Sequence, residues 1–148
     1  MKSKEIKLIK FLPAILWMGI IFYLSHQPAE ISSDLSGGLL EKIMSAIRSI
    51  THSELVGSYH ALLRKIAHFA TYFILSLLMM YAFAKNKEAK KYLITFFIGL
   101  IFALSDEFHQ LFIQGRAAQI MDVLIDMSGI CVGLLLTKIS SIWLKRQR

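Results

Sequence analysis

Residues 11–24 read FLPAILWMGIIFYL and belong to a stretch, residues 11–29, that carries no formal charge. A helix of about 20 mainly apolar residues crosses the hydrocarbon core of a bilayer. Lysines precede the stretch, as they do in a secretory signal peptide, but the residues SHQP at 25–28 lack the small-x-small pattern of a cleavage site. The stretch therefore predicts a first membrane helix.

Three further apolar runs follow. Residues 66–84 are broken only by His68, residues 92–104 lead into the polar sequence SDEFHQ, and residues 117–137 contain Asp122 and Asp126. These runs predict an all-α integral membrane protein with a single domain, residues 1–148. We expect a bundle of four transmembrane helices at about 8–25, 64–84, 92–112 and 117–138.

The composition agrees with a membrane protein. Hydrophobic residues make up 55% of the 148 residues and charged residues 18%, so a water-soluble domain is not expected. The formal net charge is +7, but the basic residues flank the apolar runs instead of forming a patch, so we expect no nucleic-acid partner. Cys131 is the single cysteine, which excludes an intrachain disulfide and a Cys-based metal site.

The distribution of Lys and Arg predicts the orientation. Twelve of them precede the first span, separate the second from the third, or follow the fourth, and five lie in the other two loops. Basic flanks remain in the cytoplasm, so both termini are expected to be cytoplasmic. In the outer loop, residues 26–63, the side chains of Leu39, Ile43, Ile47 and Ile50 recur at helical spacing. They predict an amphipathic helix, either in the membrane interface or packed over the mouth of the bundle.

Polar and ionisable side chains from all four spans are expected at one depth on the outer side. A charged side chain at the centre of a membrane costs about 2.5–3.5 kcal/mol, so such residues indicate a functional site. The set comprises residues 25–27 of the first span; Arg64, Lys65 and His68 of the second; Asp106, Glu107, His109 and Gln110 of the third; and Arg116, Gln119 and Asp122 of the fourth.

Helical periodicity places these polar residues on single faces. Lys65, His68 and Tyr72 share one face of the second span. In the fourth span, Gln119, Asp122 and Asp126 share a side with Gly129 and Gly133, and GxxxG is a close-packing pattern of membrane helices. Asp126 is expected near the middle of the bilayer, either protonated or hydrogen-bonded to a group such as Tyr72 or Ser76.

Several of these residues also form ordered motifs. They are LSxQP at 24–28, KxxHFxxY at 65–72, DExHQxF at 106–112, GR at 115–116 and DV at 122–123 ahead of a glycine-rich helix. In order and spacing the chain resembles the VanZ-like family over about residues 11–136. Gln114 stands where that family typically has Pro, and Asp126 stands where Asn is usual.

The resemblance implies a small bacterial integral membrane protein of the cell envelope. The family is named for a teicoplanin resistance accessory protein encoded with vancomycin resistance genes, which links it to glycopeptide antibiotic resistance. The resemblance leaves the reaction, the cofactor and any contribution of this chain to resistance open.

Two functions from different classes fit these residues. The first is an intramembrane enzyme or lipid-binding protein that acts on an anionic, lipid-linked or peptidoglycan-related substrate at the outer leaflet. Arg116 and Lys65 would bind phosphate or carboxylate, and His109 or His68, oriented by Asp106, would be the general acid or base. The predicted catalytic residues are His68, Asp106, Glu107, His109, Arg116 and Asp122, and the predicted substrate-binding residues are Lys65, Tyr72, Gln110, Gln27 and Arg64.

The second function is a non-catalytic factor that binds a glycopeptide, an envelope precursor or a partner protein through the same residues. An ion pair of Asp106 with Arg116 or Lys65 that only fixes helix packing is a structural alternative. A metal site with His68, Asp106, Glu107 and His109 as ligands is a variant that Arg116 and Lys65 disfavour. Transport through the bundle has little room in four helices unless the protein forms an oligomer. Membrane lipids are the expected partners.

Overall fold

Four α-helices make up the computed structural model, which describes residues 9–27, 56–84 and 90–147. The helices are α1 Leu12–Ser25, α2 Val56–Ala82, α3 Lys90–Gln110 and α4 Ile120–Arg146. Three of them contain segments that are long and apolar enough to cross a membrane: Arg64–Ala82, Lys90–Gln110 and Ile120–Arg146. The structure therefore confirms an all-helical protein with the helix lengths and composition of a membrane protein.

The helix α1 is apolar but shorter than the other three. Its 14 residues extend over about 21 Å at 1.5 Å per residue, whereas the hydrocarbon core is about 30 Å thick. Pro13 lies in its first turn. A backbone N–H at this position has no acceptor within the helix, so the proline removes no hydrogen bond. A fourth membrane crossing by this part of the chain stays a prediction. The predicted amphipathic helix of the outer loop lies outside the described residues.

Two helix boundaries differ from the predicted ones. The helix α2 begins at Val56 instead of near residue 64, so residues 56–63 belong to a helix and not to the outer loop. Hydropathy predicted only the later part of this helix, because the sequence GSYH at 57–60 is polar although it is helical. The helix α4 begins at Ile120 instead of residue 117, since Gln119 has an extended backbone, with φ −127° and ψ 119°.

The closest helix pair is formed by α2 and α4. A Cβ atom added to Gly129 would collide with the carbonyl oxygen of Phe69, and one added to Gly133 would collide with the Ser76 hydroxyl. The close approach predicted from the GxxxG pattern is therefore confirmed. The helix α3 packs against α4 and α2, and α1 lies against α2 and α3. The Trp17 indole donates to the carbonyl oxygen of Thr71 at 2.8 Å and joins α1 to α2.

Apolar side chains cover the outside of the bundle and polar ones lie within it. Ile101 on α3 and Leu124 on α4 are among many large apolar residues that are more than half exposed. Asp106 and Asp126, on the same two helices, are fully buried. This distribution is the reverse of that in a water-soluble protein and fits a protein whose surface contacts lipid.

Candidate functional site

Four carboxylates form a buried acidic cluster, defined here as Asp106 and Glu107 on α3 and Asp122 and Asp126 on α4. Their exposed fractions are 0%, 4%, 2% and 0%. Asp106 and Asp122 both lie within electrostatic range of His68 on α2. The last turn of α3 and the first turns of α4 therefore bring their acidic residues together against α2.

His68 and Asp126 form a hydrogen-bonded pair within the bundle, which is an ion pair when the imidazole is protonated. Nδ1 of His68 lies 3.0 Å from Oδ1 of Asp126, and their side chains are 11% and 0% exposed. No other ion pair is formed in the part of the chain that the structure describes. The close contact of Gly129 with Phe69 explains the pairing, because it brings the turn of α4 that contains Asp126 beside His68.

The predicted partners of Asp126 were therefore wrong. The Ser76 hydroxyl donates to the carbonyl oxygen of Phe73, one turn earlier in its own helix, at 2.8 Å. The Tyr72 hydroxyl is buried without a hydrogen-bond partner. It nevertheless lies within electrostatic range of Asp126, Asp106 and Glu107.

Asp106 and Glu107 hold the ends of neighbouring helices. Oδ2 of Asp106 accepts hydrogen bonds from the Ser25 hydroxyl at 2.7 Å and from the Gln110 amide at 3.4 Å. Oε2 of Glu107 accepts a hydrogen bond from the backbone N–H of Gln119 at 2.7 Å, at the start of α4. Asp106 thus joins α3 to the end of α1, while Glu107 joins α3 to the first turn of α4.

His109 lies against the end of α1. Its Nε2 is 3.0 Å from Nδ1 of His26, and its ring stacks on the rings of His26 and Phe22. The prediction that Asp106 orients His109 was wrong. Two residues three positions apart differ by about 60° around an α-helix, and Asp106 and His109 contact different residues at the end of α1, Ser25 and His26.

Arg116 binds the end of α1. Its Nε donates to the carbonyl oxygen of Gln27 at 2.9 Å and its Nη2 donates to that of Leu24 at 3.4 Å. Carbonyl groups in the last turn of a helix lack partners within the helix, so the guanidinium stabilises this end of α1. Gly115 makes the preceding turn with a positive φ of 76°. Gln27 contributes its backbone carbonyl to this contact.

The electrostatic surroundings of Arg116 include a second cation. Burial lowers the pKa of Arg116 from its ordinary value, and the positive charge of Arg64 lowers it further.

Asp106 forms no ion pair with Arg116 or with Lys65 in the described parts of the chain, so the structural alternative of such a pair is not observed. Arg64 and Lys65 are half-buried.

The acidic and histidine side chains are not clustered as metal ligands. Within residues 9–27, 56–84 and 90–147, no group of three or more His, Cys, Asp or Glu side chains could hold a metal ion. The partnership of His68 with Asp126, and that of His109 with His26, was not predicted. For the pairing of His68 with Asp126, the only sequence signal was that Asp122 and Asp126 share a face of α4. That signal did not identify the partner on α2.

Comparisons with known proteins agree with the motif pattern. A family model described as VanZ/LLP1 matches residues 10–142, which include every site residue described above. No curated protein and no solved structure matches the chain.

Proposed function

This chain belongs to the VanZ/LLP1 family, and from that premise we propose that it acts on an envelope substrate at the outer leaflet of a bacterial cell membrane. The proposed substrate is anionic and either lipid-linked or related to peptidoglycan, and both termini of the protein are cytoplasmic. Arg64, Lys65 and Arg116 would bind the anion. Arg116 binds α1 through Nε and Nη2, which leaves N–H groups on Nη1 for this role.

The ion pair of His68 with Asp126 is the observation that supports chemistry at this site. A buried carboxylate that accepts a hydrogen bond from one ring nitrogen fixes the orientation and tautomer of a histidine. The other ring nitrogen, Nε2, is then available to exchange a proton with a substrate. In this proposal His68 is the general acid or base, and His109 supports α1. The reaction is hydrolysis or transfer at a phosphate or acyl centre.

A second candidate function is non-catalytic binding of a glycopeptide, an envelope precursor or a partner protein. The aliphatic hydroxyl groups at this site favour it, because both are engaged in hydrogen bonds. Ser25 donates to Asp106, and Thr71 donates to the carbonyl oxygen of His68 at 2.9 Å. A catalytic mechanism would therefore use water or the Tyr72 hydroxyl, which has no hydrogen-bond partner, as the nucleophile, whereas a binding function needs no nucleophile.

A deletion strain tests the proposal and separates the two functions. Lipid-linked envelope intermediates would be quantified by mass spectrometry, and susceptibility to teicoplanin would be measured in parallel. The strain would be complemented with wild type, His68→Gln, Asp126→Asn and, as a control, Ser128→Ala, which removes an exposed hydroxyl that bonds within α4. Expression of each variant would be checked by immunoblot.

We expect one intermediate to accumulate in the deletion strain and to be cleared by wild type and Ser128→Ala. His68→Gln and Asp126→Asn should both fail to clear it. If both clear it at normal expression, His68 is not an acid or base and the binding function replaces the catalytic one. If no envelope intermediate changes and teicoplanin susceptibility is unaltered, the proposed substrate class is wrong.

A further inference from the structure

Three carboxylates of the acidic cluster share one arrangement. In each, the protein holds one oxygen, and the other oxygen is buried without a hydrogen-bond partner. Asp106 is held at Oδ2 and has Oδ1 free; Glu107 is held at Oε2 and has Oε1 free; Asp126 is held at Oδ1 and has Oδ2 free. The held oxygens fix the direction of each carboxylate, so the free oxygens are presented in defined positions.

Two further atoms add to this set. Oδ1 of Asp122 is buried without a partner, and so is the hydroxyl of the fully buried Tyr72. Leaving a buried polar group without a partner is unfavourable, and the penalty is larger for a charged group. Carboxylate oxygens accept hydrogen bonds and a phenol also accepts one. The four unpartnered carboxylate oxygens therefore require hydrogen-bond donors, and the Tyr72 hydroxyl can accept or donate a further bond.

The charge of the cluster indicates which donors would fit best. Of the four carboxylates only Asp126 forms an ion pair in the described residues, with His68, and the hydrogen bonds of Arg116 go to carbonyl groups. The free oxygens are not grouped as metal ligands in the described residues. An organic cation with several N–H groups supplies both the donors and the missing positive charge. A primary ammonium has three such N–H groups, as the lysine side chain does.

We propose that the acidic cluster and Tyr72 bind a primary ammonium group of the envelope substrate. The inference rests on the proposed function and names the chemistry of its ligand. Arg64, whose Nε is buried without a hydrogen-bond partner, and Arg116, which keeps N–H groups on Nη1, would bind a phosphate beside the ammonium. The ligand therefore carries the phosphate of the proposed substrate together with a primary ammonium, as phosphoethanolamine does, either as a lipid headgroup or as a soluble molecule.

Lipid binding to the purified full-length protein tests this assignment. The protein in detergent would be titrated with phosphatidylethanolamine, phosphatidylcholine or phosphatidylglycerol of identical acyl chains, and bound lipid would be measured by native mass spectrometry. Phosphatidylcholine keeps the charge but has no N–H group, and phosphatidylglycerol offers hydroxyl donors without a cation. Soluble phosphoethanolamine, added as a competitor, distinguishes a free ligand from a lipid headgroup.

We expect phosphatidylethanolamine to bind about tenfold more tightly than either other lipid, which corresponds to about 1.4 kcal/mol. Tyr72→Phe removes only the hydroxyl without a partner, so it should reduce this preference and leave the melting temperature of the lipid-free protein unchanged. Asp106→Asn should reduce the preference further, and Ser128→Ala should not affect it. Displacement by soluble phosphoethanolamine at concentrations comparable to those of the lipid would identify a free ligand and also support the ammonium site.

Equal binding of phosphatidylethanolamine and phosphatidylcholine would overturn the ammonium site. It would leave the proposed function intact, because binding of both would still show recognition of the phosphate. Tightest binding of phosphatidylglycerol would overturn the ammonium site as well, in favour of hydroxyl donors. If none of the three lipids binds and phosphoethanolamine does not bind either, the ammonium site fails, and the intermediates measured in the deletion strain decide separately on the proposed function.

Discussion

His68 on α2 and Asp126 on α4 lie 3.0 Å apart, Nδ1 to Oδ1, inside the apolar segments of both helices. The contact joins the two helices that pack most closely. The sequence predicted that Asp126 lies near the middle of the bilayer but did not identify its partner. The carboxylate contacts a histidine that is only 11% exposed.

Removing one member of this pair should destabilise the bundle. Asp126→Ala leaves His68 buried without its partner, and breaking a buried pair in this way costs about 3–5 kcal/mol. Thermal unfolding of the protein in detergent should therefore show a large loss of stability. The double variant with His68→Ala should lose less than the sum of the two single losses, by about 0.5–3 kcal/mol. Strictly additive losses would show that the two side chains do not interact.

The close contact between α2 and α4 should make Gly129 intolerant of any side chain. Gly129→Ala places a methyl group against the backbone oxygen of Phe69, which cannot move without shifting the helix. We expect a loss of about 1–3 kcal/mol in the free energy of unfolding, the usual cost of overpacking. Gly19→Ala on α1 is the matched control, because nothing lies within 4 Å of its added Cβ. A similar loss for both variants would contradict the packing described here.

The parts of the fold that depend on local pattern could be predicted from the sequence. Apolar runs predicted the helices, since the length of a membrane span is set by the thickness of the bilayer. The spacing of Gly129 and Gly133 predicted a close helix contact, because a glycine face permits one whatever the partner is. The start of α2 at Val56 could not be predicted, since hydropathy does not distinguish a polar helical turn from a loop.

The sequence predicted the contacts between polar side chains less well than it predicted the helices. Asp106 was predicted to orient a histidine such as His109, yet Asp106 bonds to Ser25 and His109 bonds to His26. Helical periodicity predicts only approximately the direction in which a side chain points from the helix. The choice of partner depends on how far each helix is rotated and shifted along its neighbour, and only the folded bundle determines that.

Ser25 should contribute to stability through Asp106. The variant Ser25→Ala removes the 2.7 Å hydrogen bond that this buried hydroxyl donates to Oδ2. Since a buried carboxylate would then lose its better donor, we expect the free energy of unfolding to fall by about 1–3 kcal/mol. Ser105→Ala is a suitable control, because the Ser105 hydroxyl is exposed and bonds only to the carbonyl oxygen of Phe102. Equal melting temperatures for the two variants would show that the bond adds nothing.

Arg116 should not be replaceable by lysine. Its guanidinium reaches two carbonyl groups at the end of α1, that of Leu24 in the helix and that of Gln27 two residues beyond it, and the single ammonium group of Lys cannot reproduce this planar geometry. We expect Arg116→Lys to loosen the end of α1. Hydrogen–deuterium exchange at residues 22–27 should then increase, while exchange in α4 near Met127 stays at the wild-type rate. Unchanged exchange at residues 22–27 would show that α1 is held by its other contacts.

The orientation of the protein decides which leaflet the site faces. The excess of Lys and Arg at both ends and in the loop around residues 85–91 predicts that this loop is cytoplasmic and that the turn at Gln114 is outside. Single cysteines introduced at Gln114 and at Asn86 would be labelled with an impermeant maleimide in whole cells. The native Cys131 is exposed on α4, so both substitutions require a Cys131→Ser background. We expect Gln114→Cys to react in intact cells and Asn86→Cys to react only after permeabilisation. The opposite pattern would place the acidic cluster near the cytoplasmic leaflet and exclude a substrate of the outer leaflet.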